Sequence, residues 1–523
     1  MGISPTYPGI YIQELPSSAH TITAAPTSIT VFVGYTHPLK TKNFNQAVEL
    51  FSFTDYENLF GGLFASDVFD SNVAYAVDQF FLNGGSIAYV IGLKPFYRDI
   101  NGTPLGATPP SLTFSSLVFV ALEPTDAATL SVTINNVNSA GDTADVTITY
   151  SSRVETFRKV TIAGSVNGLN YIDKRINGIS QLVTVAPSGM SYTLPIVSST
   201  EVKGAFPPGT PANFATTFST LDFANVFQQD STLDKIPIFN LLLLPGIADS
   251  GIWSDALAFC ERKQAFVIMD PPRQAVADQA TASLTGLPLM ADEMQGNNGL
   301  APVPKSTNGA IYFPYLKSED PLTGNIIELP PSGFVSGIYS RTDLNRGVWK
   351  APAGLETNVL NTTGVVDRGR MTDPGQGALN IIGVNCLRSF PTGTVVFGAR
   401  TLVGADDNTP FQQWKYVPVR RMALFIEQTL YENLKWVIFE PNDDPLWTAI
   451  RTTINNFMLS QFNQGAFQGD TPSKAFQVKC DSTTTTQDDI NNGIVNIIVA
   501  FAPLKPAEFV IIKIAQLAGQ VQQ

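Results

Sequence analysis

Between about Ser111 and Ser199 the hydrophobic period of this chain changes, and that change excludes a single uniform core. Short runs such as Thr129-Leu-Ser-Val-Thr-Ile134 and Asp145-Val-Thr-Ile-Thr-Tyr150 are rich in Val, Thr, Ile and Ser, and turn residues separate them. Alternation with a period of two sends one set of side chains to a core and the other to water, so the stretch reads as a β-sandwich or small barrel. Thr108-Pro-Pro110 and Phe206-Pro-Pro-Gly-Thr-Pro211 bracket it as an insertion. A chain of 523 residues also exceeds one comfortable core, so roughly two to four domains are expected.

Outside the insertion the pattern is that of a mixed α/β protein. Ser28 to Gly34 reads as a buried strand, apolar residues at helical spacing from Thr54 to Asn83 predict a helix closing on Gly84-Gly85, and Ile87 to Leu93 is a strand. Ile238 to Leu244 and Ala265 to Asp270 are continuous apolar strands with a helix, Ser254 to Lys263, between them. That order suits buried parallel strands joined by a helical crossover. Asp270-Pro-Pro272 ends a strand where α/β proteins often place a ligand, although a tight turn is the commoner reason for Pro-Pro.

In the last third, Val419, Met422, Ala423, Ile426 and Leu430 form one helical face, while Arg420, Arg421, Glu427 and Glu432 fall largely elsewhere. One packed face and one wet face are expected. Trp436 to Phe439 reads as a strand, and Asp444-Pro445 opens a helix that carries Leu446, Trp447, Ile450, Ile454, Phe457 and Met458 and stops at Gly465. Gly493 to Phe501 and Phe509 to Ile514 read as strands, with Val510, Ile512 and Ile514 on one face. At the other end, residues 10–15 alternate behind Pro8-Gly9, and Leu15 to Pro26, rich in Ser, Thr, Ala and Pro, suits an extended leash.

Composition narrows the function. A formal charge of −12 argues against sequence-independent nucleic-acid binding, which needs a basic surface to release counterions. The longest apolar runs fall short of the roughly 18 to 20 residues that cross a bilayer, and the start lacks the basic and apolar regions of a signal peptide, so cytoplasmic synthesis is expected. Cys260, Cys386 and Cys480 are odd in number and far apart, which suits reduced, buried thiols. His20 and His37 lie near no Ser, Cys or carboxylate cluster of catalytic spacing, so neither a triad nor a histidine metal site is expected. The closest carboxylate doublets, Asp443-Asp444 and Asp488-Asp489, suit helix capping or a solvated face better than a glycosidase pair. No phosphate-binding Gly-Lys loop exists, and Gly375-Gln-Gly377-Ala-Leu-Asn380 lacks the third glycine of a dinucleotide fingerprint. Neither an enzyme nor a cofactor is expected.

Several segments together resemble contractile tail sheath proteins. They are Arg341-Thr-Asp343-Leu-Asn345-Arg346-Gly347-Val-Trp349-Lys350-Ala-Pro352-Ala-Gly354, Gly398-Ala-Arg400-Thr401-Leu402, Trp414-Lys-Tyr416-Val-Pro-Val-Arg420-Arg421, Phe439-Glu440-Pro441-Asn442-Asp443 and Pro503-Leu-Lys-Pro506-Ala507-Glu508-Phe509-Val510. Tyr7-Pro8-Gly9-Ile10-Tyr11-Ile12-Gln13-Glu14 resembles the family's amino-terminal arm. The resemblance implies a mixed α/β multidomain chain: an arm (1–26), the first part of a core (27–100), an inserted β-rich outer domain (101–211), an α/β middle domain (212–340), the conserved sheath domain (341–508) and a carboxy-terminal arm (509–523).

It further implies that Ile10, Tyr11, Ile12 and Leu15, and likewise Phe509, Val510, Ile511, Ile512 and Ile514, interlock with neighbouring subunits. A helix of the conserved domain touches the inner tube in related sheaths, which makes Arg420, Arg421 and Glu427 the candidates here. The implied partners are further copies of the chain, the inner tube protein, and baseplate and terminator proteins. The implied setting is a phage tail, a tailocin or an injection particle. A hydrolase of envelope glycans and an adhesin with a receptor-binding insertion are the alternatives.

Overall fold

The computed structural model describes residues 21–37, 40–64, 71–95, 111–114, 117–122, 130–138, 142–150, 153–161, 163–165, 171–187, 191–193, 199–200, 219–272, 302–366, 371–404 and 411–514. The first segment supplies β1 (Thr30–Tyr35), β2 (Ala47–Leu50) and β3 (Ala88–Leu93). The predicted single helix from Thr54 to Asn83 is two, Phe53–Phe60 and Asn72–Leu82. Gly61 ends the first in the left-handed region, at φ 94°, where its N–H reaches Glu57 O, a conformation a side chain at that position would oppose.

The insertion contributes β4 (Ser111–Phe114), β5 (Leu117–Ala121), β6 (Leu130–Asn138), β7 (Thr143–Tyr150), β8 (Arg153–Thr161), β9 (Ala163–Ser165), β10 (Val183–Pro187), β11 (Ser191–Thr193) and β12 (Ser199–Thr200). These form antiparallel sheets ordered β10-β5-β4, β11-β9 and β12-β6-β7-β8. Alternate residues, Leu130, Val132 and Ile134 on β6 and Val146, Ile148 and Tyr150 on β7, turn inward to a core that shares no member with the rest of the chain. The period read from the sequence is therefore the period of the structure.

After the insertion come β13 (Leu241–Leu243), β14 (Phe266–Met269), β15 (Gly309–Phe313), β16 (Leu316–Glu319), β17 (Ile326–Leu329), β18 (Gly364–Val365), β19 (Val384–Phe390), β20 (Gly393–Val396), β21 (Phe476–Lys479) and β22 (Ile498–Phe501). One eight-stranded sheet, ordered β2-β3-β1-β13-β14-β15-β19-β20, gathers strands from both sides of the insertion. Its six inner strands are parallel and its edge strands antiparallel. The expected crossover between β13 and β14 is helix Ser250–Arg262.

Each inner strand buries both faces. Phe32, Leu241, Leu243, Phe266, Ile268 and Tyr312 point to one core, and Val31, Val33, Leu242, Val267, Met269 and Ile311 to the other, which explains the unbroken apolar runs. Helices Asn72–Leu82 and Ser332–Arg346 cover the first face, and Ser250–Arg262 the second.

Helix Ser332–Arg346 runs unbroken across residues 340 and 341. Asp270, at the end of β14, holds the start of this helix. It accepts from Ser332 N (2.7 Å), Ser332 Oγ (2.6 Å) and Gly246 N (2.9 Å), supplying the acceptor that Pro331 at the N-cap lacks.

A fourth core lies in the carboxy-terminal part, where helices Val417–Asn433 and Asp444–Asn463 pack with β21 and β22. Asp443 caps the second helix through Leu446 N, and Thr486 with Asp489 forms a capping box, as the doublets suggested. Two strand expectations fail. Residues 435–437 form a short 3-10 turn, and the strand expected from Gly493 begins only at Ile498. Trp436 and Val437 pack on the core, whereas Phe439 stands fully exposed at φ 72°. Of the ten residues between the two helices, 434–443, the 3-10 turn takes the first part and the Asp443 cap the end, which leaves no run for a ladder.

Candidate functional site

The charged motif of residues 341–354 is a joint. Arg341 Nη2 donates to Asn358 O (2.6 Å), Arg346 forks onto Glu356 (2.8 and 3.0 Å), and Lys350 Nζ donates to Ala351 O (3.0 Å). Gly347 turns the chain out of the helix at φ 87°, with the Trp349 ring 2.4 Å from where a Cβ would stand. Pro352 is buried behind it. Asp343 faces inward to Arg421, which donates from Nη1 (2.9 Å) and Nη2 (2.6 Å).

This pairing corrects the expectation for the Arg420 helix. Arg421 is not on a wet face: its side chain and that of Asp343 are each 3% exposed, and the guanidinium lies 4.7 Å over the Tyr339 ring while donating to Thr27 O. Burial opposes the Arg421 charge, but Asp343 outweighs it and raises the pKa above the ordinary guanidinium value. The helix touches two cores at once, Val417 and Leu424 on one and Met422, Phe425 and Ile426 on the other, so little of it is left for water. What remains is a strip of Arg420, Glu427 and Tyr431. Arg420 there donates to Glu427 (3.1 Å) and Asn308 Oδ1 (3.2 Å) and stacks over Trp414.

The two arm segments fare differently. Ile10, Tyr11, Ile12 and Leu15 lie outside the described residues, but residues 23–27 run along helix Val417–Asn433, tied by Thr23 to Asn433 and by Ala25 N to Thr429 Oγ1 (3.1 Å). Phe509, Val510, Ile511, Ile512 and Ile514 pair with no strand of the same chain among the described residues; they extend from the body 73–92% exposed. Just before them Glu508 is gripped by Arg400, Asn380 and Tyr416. Sequence reasoning noted Arg400 and Glu508 in separate motifs but not that they meet, because 108 residues separate them.

Chemical sites are sparse. Among the described residues no cluster of three or more His, Cys, Asp or Glu could hold a metal ion, and no helix is long and apolar enough to cross a membrane. Burial pushes the Cys386 thiol up to about 12 and raises Cys260 and Cys480 as well, as expected for inert thiols. His20 lies outside the described residues.

His37 is buried between the end of β1 and the insertion, its Nε2 3.2 Å from Gln181 Oε1. Desolvation brings its pKa down to about 4, against the Gln181 hydrogen bond and with help from Lys40. The folded chain thus prefers the neutral ring. Stability from this site is complete above the unfolded pKa near 6.5 and is lost as pH falls toward 4, by about 3 kcal/mol. Melting curves across that window should show the loss, and His37→Gln should flatten the slope.

The fold and these surfaces define a multisegment α/β body with an apolar arm held off it. Residues 409–516 match the model of the phage tail sheath C-terminal domain. Three solved structures are similar over nearly their whole length. The anti-feeding prophage baseplate shares 24% identity, covering 98% of this chain and 99% of that one, with a TM-score of 0.58. A PVC sheath complex of an extracellular contractile injection system, in the contracted state, shares 21% over 98% and 99%, also at 0.58. The contracted helical sheath of the anti-feeding prophage shares 24% over 98% and 100%, at 0.56. No curated protein matches. The match at residues 409–516 is to that one domain, and the chain as a whole has the fold of contractile tail sheath proteins.

Proposed function

We propose that the chain is the structural subunit of a contractile sheath, polymerising helically around an inner tube and shortening to drive that tube through a target envelope. The carboxy-terminal arm carries this reading. Five large apolar side chains among the six residues 509–514 stand in water, although burying each would contribute roughly 1.5–3 kcal/mol. Meanwhile β21 and β22 pair only with each other among the described residues, and a two-stranded sheet is marginal alone. An arm added to this sheet in a neighbouring copy would satisfy both, through main-chain hydrogen bonds and buried side chains. Ile10, Tyr11, Ile12 and Leu15 would serve the same purpose from the other end.

The subunit is not an enzyme in this reading. The energy of contraction lies in the difference between two lattice packings, and the arms keep the mesh connected while the bodies rotate. The insertion, with a core of its own, would sit outward as a decoration of the lattice. The inner tube would meet the strip of Arg420, Glu427 and Tyr431; buried Arg421 would support that helix from behind. Baseplate and terminator proteins complete the list of partners.

Negative-stain electron microscopy of the chain expressed alone tests the reading. Hollow tubes are expected from the intact chain, and dispersed particles from variants lacking residues 1–15 or 509–523. Dispersed particles from the intact chain, even with tube and baseplate proteins co-expressed, would sink it. In that co-expression Arg420→Glu should reduce the tube protein recovered with the sheath; unchanged recovery would remove the strip from the tube contact.

A further inference from the structure

Glu508 accepts four hydrogen bonds where the carboxy-terminal arm leaves the body. The donors are Arg400 Nε (2.8 Å) and Nη2 (2.9 Å), Asn380 Nδ2 (2.6 Å) and Tyr416 OH (3.1 Å). The Arg400 side chain is 3% exposed. Its backbone is fixed to the eight-stranded sheet, the N–H donating to Asn385 Oδ1 (2.6 Å) and the carbonyl accepting from Asn385 Nδ2 (2.8 Å), with Asn385 on β19. Between β22 and Glu508 the chain holds Pro503 and Pro506, which cannot donate to a ladder, and residues 504–508 border a cleft of about 1200 Å³ whose other walls include Trp349, Phe390 and Phe397. The segment is therefore a strap, and its far end is the Glu508 clamp.

The amino-terminal segment has a clamp of its own. Asn433 accepts from Thr23 N (2.9 Å) and donates to Thr23 O (2.8 Å). The two clamps stand at opposite ends of one element: Tyr416 is the N-cap of helix Val417–Asn433, and Asn433 is its last residue. Seventeen helical residues span about 25 Å. Because the helix packs into two cores, that spacing cannot change without disturbing both.

We propose that helix Val417–Asn433 is a spacer that sets the distance between the roots of the two arms, with Glu508 and Asn433 as the positioning residues that pin the roots to its ends. This rests on the reading of the arms as connectors between copies of the chain. A lattice woven through arms demands roots at a fixed separation, since any slack at a root becomes positional disorder in the next subunit. It also means that load on the carboxy-terminal arm passes through Arg400 into the eight-stranded sheet, bypassing the two-stranded sheet nearby.

The test compares the intact chain, Glu508→Gln, Asn433→Ala and a chain lacking residues 509–523. Hydrogen exchange is read on unassembled protein, and tube number and layer-line sharpness by electron microscopy. Asn433→Ala places a good helix former at a half-buried helix end and should leave the melting point within about 2 °C. Amide exchange at Ala502, whose N–H donates to Ala475 O (2.8 Å) and is the last hydrogen-bonded amide before the clamp among the described residues, should quicken about tenfold in Glu508→Gln, and ordered tubes should fall about tenfold in both substitutions. Should Glu508→Gln fold poorly, a Gly-Gly insertion after Glu508 keeps the clamp while loosening the root, and the same loss of ordered tubes is expected. Tubes lost on deleting 509–523 but as ordered as those of the intact chain in the two substitutions and the insertion would overturn the spacer and leave the arm reading standing. Normal tubes from the deletion would overturn both.

Discussion

Replacing Arg421 by Ala should lower the stability of this chain by roughly 3–5 kcal/mol, a fall of about 10 °C in melting temperature. The cause is what the substitution leaves behind. Asp343 is 3% exposed, and its two oxygens are occupied by Arg421 Nη1 and Nη2. Without the guanidinium the carboxylate is a buried charge with its main partner gone, and the tie from Nη2 to Thr27 O is also lost. Arg421→Lys should recover only part, since an ammonium cannot make the forked contact or lie flat on Tyr339. A double change, Arg421→Met with Asp343→Leu, should approach the parent, because removing both charges leaves nothing unpaired. Calorimetry on the three variants decides it; a loss below about 1 kcal/mol for Arg421→Ala would mean that water reaches Asp343.

Gly337→Ala and Gly333→Ala should each cost about 2–3 kcal/mol, although alanine favours an isolated helix by about 1 kcal/mol over glycine. Both glycines lie on helix Ser332–Arg346, one turn apart, against helix Asn72–Leu82. A Cβ on Gly337 would stand 2.6 Å from Phe80 O, and one on Gly333 2.6 Å from Ala76 Cα. Those neighbours are backbone of a helix that itself lies on the eight-stranded sheet, so relief requires moving the helix rather than turning a side chain. Gly377→Ala is the control: on helix Asp373–Ile381 nothing lies within 4 Å of the added atom, and a gain approaching 1 kcal/mol is expected. Chemical denaturation of the three variants should order them this way. Equal effects at Gly337 and Gly377 would show that the helix pair is free to separate.

Four strands of the eight-stranded sheet, β1, β3, β13 and β14, and the alternating strands of the insertion were readable in the sequence, since a strand buried on both faces must be apolar throughout and one buried on a single face must alternate; β2, β15, β19 and β20 were not read. The helix start at Asp444-Pro445 was readable to within one residue for a related reason, that a cap acts on its own next turn, whereas the start at Thr486 was not read, only a capping role for the Asp488-Asp489 doublet. The Trp436 to Phe439 segment misled because an apolar run carries no mark of whether a partner strand is near, and here a turn between two helices took it. The Arg420 helix misled because periodicity tells how many faces are apolar, not how many neighbours the helix has; with two cores against it, a charged residue was drawn inward and paired.

The sequence by itself determined the periods of the strands and helices and the capping carboxylates, properties of residues within a turn or two of one another. Tertiary structure decided which distant residues became partners: Asp270 with Ser332, Asp343 with Arg421, Arg400 with Glu508, and both arm roots with one helix. An ion pair or a clamp depends on where the backbone brings two side chains in space, and a sequence separation of 62 to 410 residues leaves no local pattern from which that meeting could be read.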